Sequence, residues 1–486
     1  MPNPIAFLAL FSWPVVTAIL FRRMSIPRAV AASIIWGYLL LPEKTAVDFP
    51  LLPAIDKTLI PSLSAAIFAY FAAKSERKKA SIAARRSGDA RAVDRGLARL
   101  PKSRLRGLIR LIVVVLLISP VFTWVSNQAP IIIAQRYIPG LRPYDVASMM
   151  QEIAITLLPF WIARHYLRDR QAQIEILRIM AWAGLAYSLP MLVELRMSPQ
   201  INNWIYGFQA HSFAQHVRQG GYRPMVFLEH GLRVGIFIAM ATMAASTLAT
   251  QATGRVRTLW LAATGWLLLI LLLSKNLGAT METVALLPLF ILPWIRLRTF
   301  VAAAIALLVL CYPLTRGSGL VPYQQIVNFV AMIDTDRASS FEYRLKNEEI
   351  LLAHANQKPL AGWGIWGRSR VYDDKTGDDI SVTDGSWIIA VTVYGWVGYL
   401  GFFGLLTGAL ILLWLRRKSL GIDAIDSAIM LILAANLFDL IPNSSMVPPI
   451  WLLAGLCWAR LDRQAAAISA TVPRSRRRHQ TRRSTS

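Results

Sequence analysis

The chain is poor in cysteine and poor in charge for its length. Its 486 residues include two cysteines, Cys311 and Cys457, and both lie in apolar stretches. This argues against a disulfide framework or a thiolate metal site. Only 16% of the residues are charged, whereas 55% are hydrophobic, a balance that argues against a soluble protein. The sequence also lacks a glycine-rich phosphate loop, an internal repeat and a strand-rich domain.

What the sequence has instead is a series of long apolar segments. A helix needs about 20 residues to cross a bilayer, and backbone amides cannot stay unpaired in lipid. The pattern therefore predicts an all-α, polytopic transmembrane bundle of about 12 to 13 helices, with residues 1–460 as one membrane domain. The predicted helices are 5–21, 28–42, 59–73, 108–126, 146–163, 176–195, 229–249, 258–274, 279–295, 299–314, 387–414, 423–441 and 445–459.

The net charge of +25 is divided unevenly between alternate connections. One set holds 35 Lys and Arg residues and the other holds 16, although the second set contains the longest connection. Because cytoplasmic loops are enriched in Lys and Arg, the first set, with loop 74–107 and tail 461–486, is predicted to be cytoplasmic. The N terminus and the connections 196–228 and 315–386 are then predicted to be periplasmic.

The basic loop and tail are interpreted as topology signals and as contacts with anionic lipids, so nucleic acid is not an expected partner. Docking of a partner protein is the alternative. The first apolar segment is read as a retained helix, not as a cleaved signal. Arg22 and Arg23, which are predicted to be cytoplasmic, follow this segment.

The two long outer connections favour a functional role, because connections of this length are rarely needed to join helices. In the second, SSFEYRLKNEEILLAHANQKP predicts an amphipathic helix at the membrane surface, capped by Ser339 or Ser340. The stretch GWGIWG ends this helix, and its residues Trp363 and Trp366 suit a membrane interface.

An enzyme outside the membrane has no ATP and needs an activated substrate, such as a sugar on a lipid diphosphate. Such a site needs cations for the diphosphate, preferably arginines, and a base for the acceptor hydroxyl. The candidate cations are Arg218, Arg223, Arg337, Arg344, Arg368 and Arg370. The candidate bases are Asp384, His211, His216, His230 and His354.

Two stretches also form a known combination of motifs. EYRLKNEEILLAHANQKPLAGWGIWG has an Arg before a P-L-x-G-x-G element, and the next helix, GSWIIAVTVYGWVGYLGFFGLL, carries G-x-x-G. GGYRPMVFLEHGLRVGIFIAMATMA combines an outer-loop Arg with the start of a helix. Together they resemble the O-antigen ligase and polysaccharide polymerase superfamily of bacterial inner membranes, over residues 185–415. The matching residues are Arg344, Pro359, Leu360, Gly362, Gly364, Gly395 and Gly398.

The resemblance implies a GT-C-like glycosyltransferase that takes a glycan from undecaprenyl diphosphate at the periplasmic face, without metal, cofactor or nucleotide. It implies that Arg223 and Arg344 bind the diphosphate and that Asp384 is the base or orients the acceptor. The implied partners are the lipid-linked donor, a glycan or lipid-linked acceptor, the bilayer and other polysaccharide-assembly proteins. Ligases often have a His-Asn pair where this chain has Asp384-Gly385-Ser386, which favours a polymerase.

Several candidates have a second interpretation. Asp384 is also suited to cap the helix that follows it. Glu229 and Arg233 are four residues apart, which fits a structural ion pair as well as a site. Lys275 is either a further cation for the diphosphate or an interfacial anchor. The residues predicted to bind substrate are Arg218, Glu229, His230, Arg233, Lys275, Arg337 and Trp363.

Other polar residues are predicted to be structural. His211 and His216 are five apart, which argues against a shared helical face and a metal pair. YDDKTGDD lacks calcium-loop spacing and is predicted to be a solvated turn. Asn436 and Asp439 are predicted to hold helices together. A transporter or flippase of lipid-linked glycans is the alternative function, because it also needs cations for a diphosphate.

Overall fold

The computed structural model describes residues 1–49, 53–86, 104–218, 220–318, 323–332 and 335–471. Over these ranges the chain is a bundle of α-helices with two small antiparallel hairpins. Eight of the helices are long and apolar enough to cross a membrane. The prediction of an all-α, multi-pass membrane protein is therefore confirmed at this level.

Each of the thirteen predicted segments overlaps a helix of the described bundle. These helices are α1 (Pro4–Arg23), α2 (Ile26–Leu40), α3 (Leu59–Arg86), α4 (Arg104–Val125), α5 (Pro143–Tyr166), α6 (Arg170–Met197), α8 (Gly231–Gln251), α9 (Gly254–Leu273), α10 (Leu277–Ile291), α11 (Ile295–Gly317), α14 (Ser386–Leu415), α16 (Ala424–Asp439) and α17 (Pro448–Thr471). Helices α2 and α10 are apolar but have only 15 residues each. Of the predicted basic segments, 87–103 and 472–486 lie outside the described residues.

Smaller elements lie in the connections. The α-helices there are α7 (Ile201–Tyr206), α12 (Tyr323–Ala331), α13 (Thr335–Ala355) and α15 (Arg417–Leu420), and Phe213–His216 is a 3-10 helix. The hairpins pair β1 (Ile131–Ile133) with β2 (Arg136–Ile138), and β3 (Val217–Arg218) with β4 (Gly221–Tyr222). Ile131 faces Ile138, and Val217 faces Tyr222.

Helix burial shows where the core of the bundle lies. In α8, 89% of the most apolar 18-residue window is buried, whereas the corresponding value for α1 is 22%. Apolar side chains on nearly every face of α8 fit a central helix, and those of α1 fit a peripheral helix that faces lipid.

Alternate connections meet at the same end of the bundle. Lys57 donates a hydrogen bond to the Phe227 carbonyl over 3.3 Å. Asn127 donates one to the Gly362 carbonyl over 3.0 Å. We call this end the loop end; its connections are 41–58, 126–142, 198–230, 274–276, 318–385 and 440–447.

Ion pairs join the remaining connections at the opposite end of the bundle. Arg164 Nε lies 2.9 Å from Asp462 Oδ2, which links α5 to α17. Arg170 Nη1, at the start of α6, contacts the Asp423 carboxylate just before α16. The bundle thus has two chemically distinct ends.

The predicted amphipathic helix of the long connection exists, but it begins earlier than expected. Helix α13 starts at Thr335 and not at Ser339 or Ser340, and it ends at Ala355. Leu345, Leu351 and Leu352 are buried, as expected for its apolar face. The earlier start adds a turn that the capping pattern at the serines did not indicate.

Helix α14 is interrupted at Gly395, where the chain has φ 66° and ψ −170°. Residues 359–364 of the long connection fill this break. Trp363 N donates to the Thr392 carbonyl over 2.8 Å, and Trp396 N donates to the Pro359 carbonyl over 2.7 Å. The P-L-x-G-x-G element is therefore hydrogen-bonded to the helix that follows it.

Two glycines make this close approach possible. A Cβ atom on Gly362 would lie 2.6 Å from Gly395 N and from the Val393 carbonyl oxygen, and a Cβ on Gly395 would collide with the Leu360 carbonyl. Both glycines also have positive φ, which side chains rarely adopt. Glycines of the two sequence motifs thus meet at one point.

Candidate functional site

The site begins with Arg344 on α13 and Asp384, which directly precedes α14. Arg344 Nε lies 3.2 Å from Asp384 Oδ2, and the two side chains are 38% and 40% exposed. Such an exposed pair contributes only about 0–1 kcal/mol to stability. The pair brings together two of the three residues predicted to be catalytic, and a competing anion can displace it at little cost.

The alternative role of Asp384 as a helix cap is wrong. The N-cap of α14 is Gly385, and no side chain caps the helix. The start of α14 is held by the 440–447 connection instead, because Ser386 Oγ donates to the Asn443 carbonyl over 2.9 Å. Asp384 is therefore left to pair with Arg344.

Two further carboxylates lie beside this pair. Asp439, the last residue of α16, interacts electrostatically with Arg344 and with Glu282 of α10. Asp439 Oδ1 accepts a hydrogen bond from Asn443 over 2.8 Å. Asp439 Oδ2 and Glu282 Oε1 are buried and have no hydrogen-bond partner among the described residues. They can accept hydrogen bonds from a bound hydroxyl group.

Arg223, which lies between β4 and α8, forms a second group of cations together with Lys275. Arg223 Nη2 donates to the Lys275 carbonyl over 3.3 Å. The aliphatic part of the Arg223 side chain packs on Gly231, where a Cβ atom would clash with it. Lys275 Nζ packs on Gly221, where a Cβ atom would also clash. Lys275 has a left-handed backbone, with φ 57°, and strain of this kind often marks a functional position.

The buried Glu194 carboxylate of α6 positions the Arg223 segment. Glu194 Oε2 accepts the backbone amides of Met225 and Val226 over 2.7 and 2.8 Å, and Oε1 accepts that of Ile201 over 3.0 Å. Val226 has φ 53°, which a β-branched residue adopts only under constraint. Glu194 is a charged residue near the end of an apolar segment, a signal that sequence reasoning missed.

Glu229 and Arg233 form the predicted ion pair, at 2.9 Å. The pair extends into a network, since Glu43 Oε1 lies 3.7 Å from Arg233 Nη1 and 2.9 Å from Lys57 Nζ. Glu43 and Lys57 are both largely buried. This arrangement supports the structural interpretation of Glu229 and Arg233, next to Arg223.

Helix α10 links the two groups of charges. Lys275 lies two residues before Leu277, the first residue of this helix, and Glu282 lies in the second turn of the helix. The helical rise from Leu277 to Glu282 is about 8 Å. The Arg223–Lys275 group and the Arg344–Asp384–Asp439 group are therefore both connected to the N-terminal half of α10, the first through Lys275 and the second through Glu282.

Three histidines come together beside Arg223. The ring centroids of His211, His216 and His230 lie 4.9 to 5.6 Å apart. The two residues His211 and His216 were predicted not to share a helical face, and residues 213–216 form a 3-10 helix and not an α-helix. The His211 and His216 rings nevertheless meet through the turn of the chain, and the absence of a metal pair stays a prediction. Burial lowers the pKa of His230 to about 3, helped by the neighbouring histidines, Arg223 and Arg233. The imidazole of His230 is thus neutral at pH 7 and is not a cation for a diphosphate.

Trp363 is engaged within the protein. Its ring stacks on His354 with a centroid distance of 4.2 Å, and Lys358 Nζ lies 4.4 Å from the ring centroid. Trp363 Nε1 also donates to the His354 carbonyl over 2.8 Å. The side chains of Arg218 and Arg337, both predicted to bind substrate, lie outside the described part of the structure.

Two other arginines of the long connection, Arg368 and Arg370, have protein partners. Arg368, a candidate cation for the diphosphate, is 2% exposed and donates to the Pro139 and Ala129 carbonyls over 2.9 and 3.1 Å. Arg370 Nη1 pairs with Asp379 at 2.9 Å. This pair lies beside the turn formed by YDDKTGDD, where Asp373 accepts two backbone amides.

The sequence contained a signal for the missed carboxylates. Glu282 and Asp439 are acidic residues inside or at the edge of apolar segments, and such residues usually have a function. The prediction that Asn436 and Asp439 join helices was based on hydrogen bonding. In the structure Asn436 donates to Ile432 of its own helix.

The fold defines the chain as a multi-pass α-helical membrane protein. No model of a known protein family matches the sequence, and no curated protein matches it either.

Proposed function

We propose that this protein is an O-antigen ligase-like or polymerase-like glycosyltransferase with a GT-C-like fold. It would join oligosaccharides carried on undecaprenyl diphosphate into a surface or secreted polysaccharide. The observation that carries the proposal is the exposed Arg344–Asp384 ion pair at the loop end, 3.2 Å between Nε and Oδ2. The resemblance in sequence adds to it, since Arg344 belongs to the matched motif.

The pair suits a site that exchanges partners when the donor binds. An incoming diphosphate offers Arg344 two oxygens in place of the single Asp384 oxygen, and a bidentate contact of this kind is stronger. Because the existing pair contributes only about 0–1 kcal/mol, the exchange is inexpensive. Asp384 is then released beside the donor, where a base is needed.

The transfer itself would then need only protein side chains and the lipid-linked donor. The acceptor hydroxyl oxygen attacks the anomeric carbon of the donor sugar, and its proton passes to the Asp384 carboxylate. The bond between that carbon and the diphosphate oxygen breaks, and the lipid diphosphate leaves with both electrons. Arg344 and Arg223 stabilise the charge that develops on the leaving group.

The unpartnered oxygens of Asp439 and Glu282 fit the sugar part of such a substrate. Hydroxyl groups of a glycan would donate to them and fix the orientation of the ring. Lys275, beside Arg223, supplies a second cation for the far end of the diphosphate. In this proposal the loop end faces the periplasm of a bacterial inner membrane, and the C terminus is cytoplasmic.

The decisive experiment uses the purified full chain in liposomes with a polyprenyl-diphosphate oligosaccharide and an acceptor glycan. We expect release of polyprenyl diphosphate together with a lengthened glycan. Asp384→Asn should lower the rate by about 10² to 10⁴, the usual contribution of a general base. Arg344→Ala should lower it with unchanged protein abundance.

Arg370→Gln is the matched control. It removes an exposed arginine from a similar ion pair with Asp379 in the same connection, at 2.9 Å, and should leave the rate unchanged. Equal losses in Arg344→Ala and Arg370→Gln would contradict the assignment of the site. Intact donor that moves to the other leaflet in the presence of acceptor would replace the transferase by a flippase.

A further inference from the structure

The cluster of His211, His216 and His230 is not used by the proposed transfer reaction. It joins two separate elements: the segment around the 3-10 helix and the N terminus of α8. Each histidine offers one ring nitrogen, and these three nitrogens all lie within 4.8 Å of one another. We propose that the three histidines bind one Zn²⁺ ion.

The ring positions fit this ion well. Zn²⁺ binds histidine nitrogens at about 2.0–2.1 Å in tetrahedral geometry, which places ring centroids about 5.2 Å apart. The observed centroid distances are 5.6 Å for His211–His216, 4.9 Å for His211–His230 and 4.9 Å for His216–His230. The three rings are therefore already spaced as ligands of a single ion.

Only small movements are needed to complete the site. Ligand nitrogens around a tetrahedral Zn²⁺ lie about 3.4 Å apart, so nitrogens at 4.8 Å would each move inward by about 0.8 Å. His211 Nδ1 is buried and has no hydrogen-bond partner among the described residues, so it loses no hydrogen bond when it takes a ligand role. Side-chain rotation is sufficient for movements of this size.

One existing hydrogen bond would be exchanged. His230 Nδ1 accepts the Leu232 amide over 3.0 Å and so caps α8. A neutral imidazole has only one nitrogen with an available lone pair. When that lone pair binds the metal, Nδ1 can no longer accept the Leu232 amide, and the cap is lost. Loss of one N-cap corresponds to about a tenfold lower affinity for Zn²⁺, and three imidazole ligands are sufficient to offset this loss.

Nearby charges indicate what would complete the coordination. Arg223 and Arg233 both act electrostatically on His230, and Arg233 is balanced by Glu229 and Glu43. Three protein ligands leave the fourth position of a tetrahedral ion open, as in catalytic zinc sites. A water molecule or an anionic oxygen therefore fits that position, on the same side of the bundle as Arg223.

The site is tested by metal content and does not depend on transferase activity. The full chain is purified in detergent through a tag without histidine, stripped with a chelator, and dialysed against Zn²⁺. Mass spectrometry of the metal should give one Zn²⁺ per chain. Co²⁺ in its place should show the intense visible absorption of a tetrahedral ion.

The variants His211→Gln, His216→Gln and His230→Gln should each lower Zn²⁺ affinity by more than about 100-fold, beyond the effect of a residue that only orients a ligand. His165→Gln is the control, because His165 is exposed at the opposite end. His216 is fully buried, so the partly exposed His211 provides the variant that keeps the fold. Unchanged Zn²⁺ affinity in His211→Gln, or no bound Zn²⁺ in the parent chain, would overturn the proposal.

Discussion

The two ends of the bundle use their charged residues differently. At the opposite end, both oxygens of Asp462 are bound: Oδ1 by Arg106 at 3.3 Å and Oδ2 by Arg164 at 2.9 Å. Asp426 is similarly saturated, with Gln173 on one oxygen and an arginine on the other. These carboxylates are almost fully buried. They join helices α4, α5, α6, α16 and α17 into a fixed unit.

At the loop end three carboxyl groups, unlike Glu194 and Glu43, are left with few partners. Asp384 shares one exposed ion pair with Arg344, and buried oxygens of Asp439 and Glu282 have no hydrogen-bond partner in the part of the chain that is described. Unsatisfied buried polar groups destabilise a fold, so each one calls for a reason, such as a bound ligand or water. The comparison separates carboxylates that join helices from those that the proposed function assigns to a substrate.

The largest effect is expected from Asp462→Ala. It leaves Arg106 and Arg164 without their shared counter-charge, and breaking a buried pair in this way costs about 3–5 kcal/mol. The midpoint of thermal unfolding in detergent should fall markedly. Arg178→Ala, which removes a half-exposed partner of Glu175 at the same end, should cost less than about 1 kcal/mol. Equal effects would remove the distinction between buried and exposed pairs.

The second-largest loss of stability is expected from Gly395→Ala in α14. A left-handed residue with a side chain costs about 1–3 kcal/mol, and the new Cβ collides with the Leu360 carbonyl. Thermal unfolding measures the loss. The control, Gly404→Ala, lies in the same helix with open space around its Cβ, and it should be neutral or stabilising by up to about 1 kcal/mol. A stable Gly395→Ala variant would contradict the described break.

A smaller effect, with the opposite sign, is expected from Glu282→Gln. This change replaces a buried carboxyl group next to Asp439 by a neutral amide, whereas Asp462→Ala removes an attraction. Stability should stay constant or rise by up to about 1 kcal/mol. A strong decrease in the unfolding midpoint would show that Glu282 is a structural residue like Asp462.

The smallest change in stability is expected from Asp384→Asn. Both members of the Arg344–Asp384 pair are about two fifths exposed, so the free energy of unfolding should change by less than about 1 kcal/mol. The same purified sample should nevertheless lose glycan transfer. A variant that unfolds more easily and transfers normally would assign the pair to the structure instead of the site.

The sequence predicted the thirteen helices because each has an apolar run, and hydrophobicity alone specifies a membrane helix. It also predicted the Glu229–Arg233 pair, since residues four apart are neighbours on a helical face. The contacts of Asp439 with Arg344, and of His230 with His211, depend on how distant segments pack. No local pattern encodes them, and so they were missed.

The break at Gly395 has a consequence for how the protein is made. Four backbone groups around it, at Thr392, Val393, Trp396 and Val397, are hydrogen-bonded by residues 359–364. In lipid each unpaired backbone group costs several kcal/mol. The ribosome delivers 359–364 before α14, so the segment that closes the break is already present when the helix enters the membrane. We therefore expect insertion of α14 to be coupled to docking of the preceding segment.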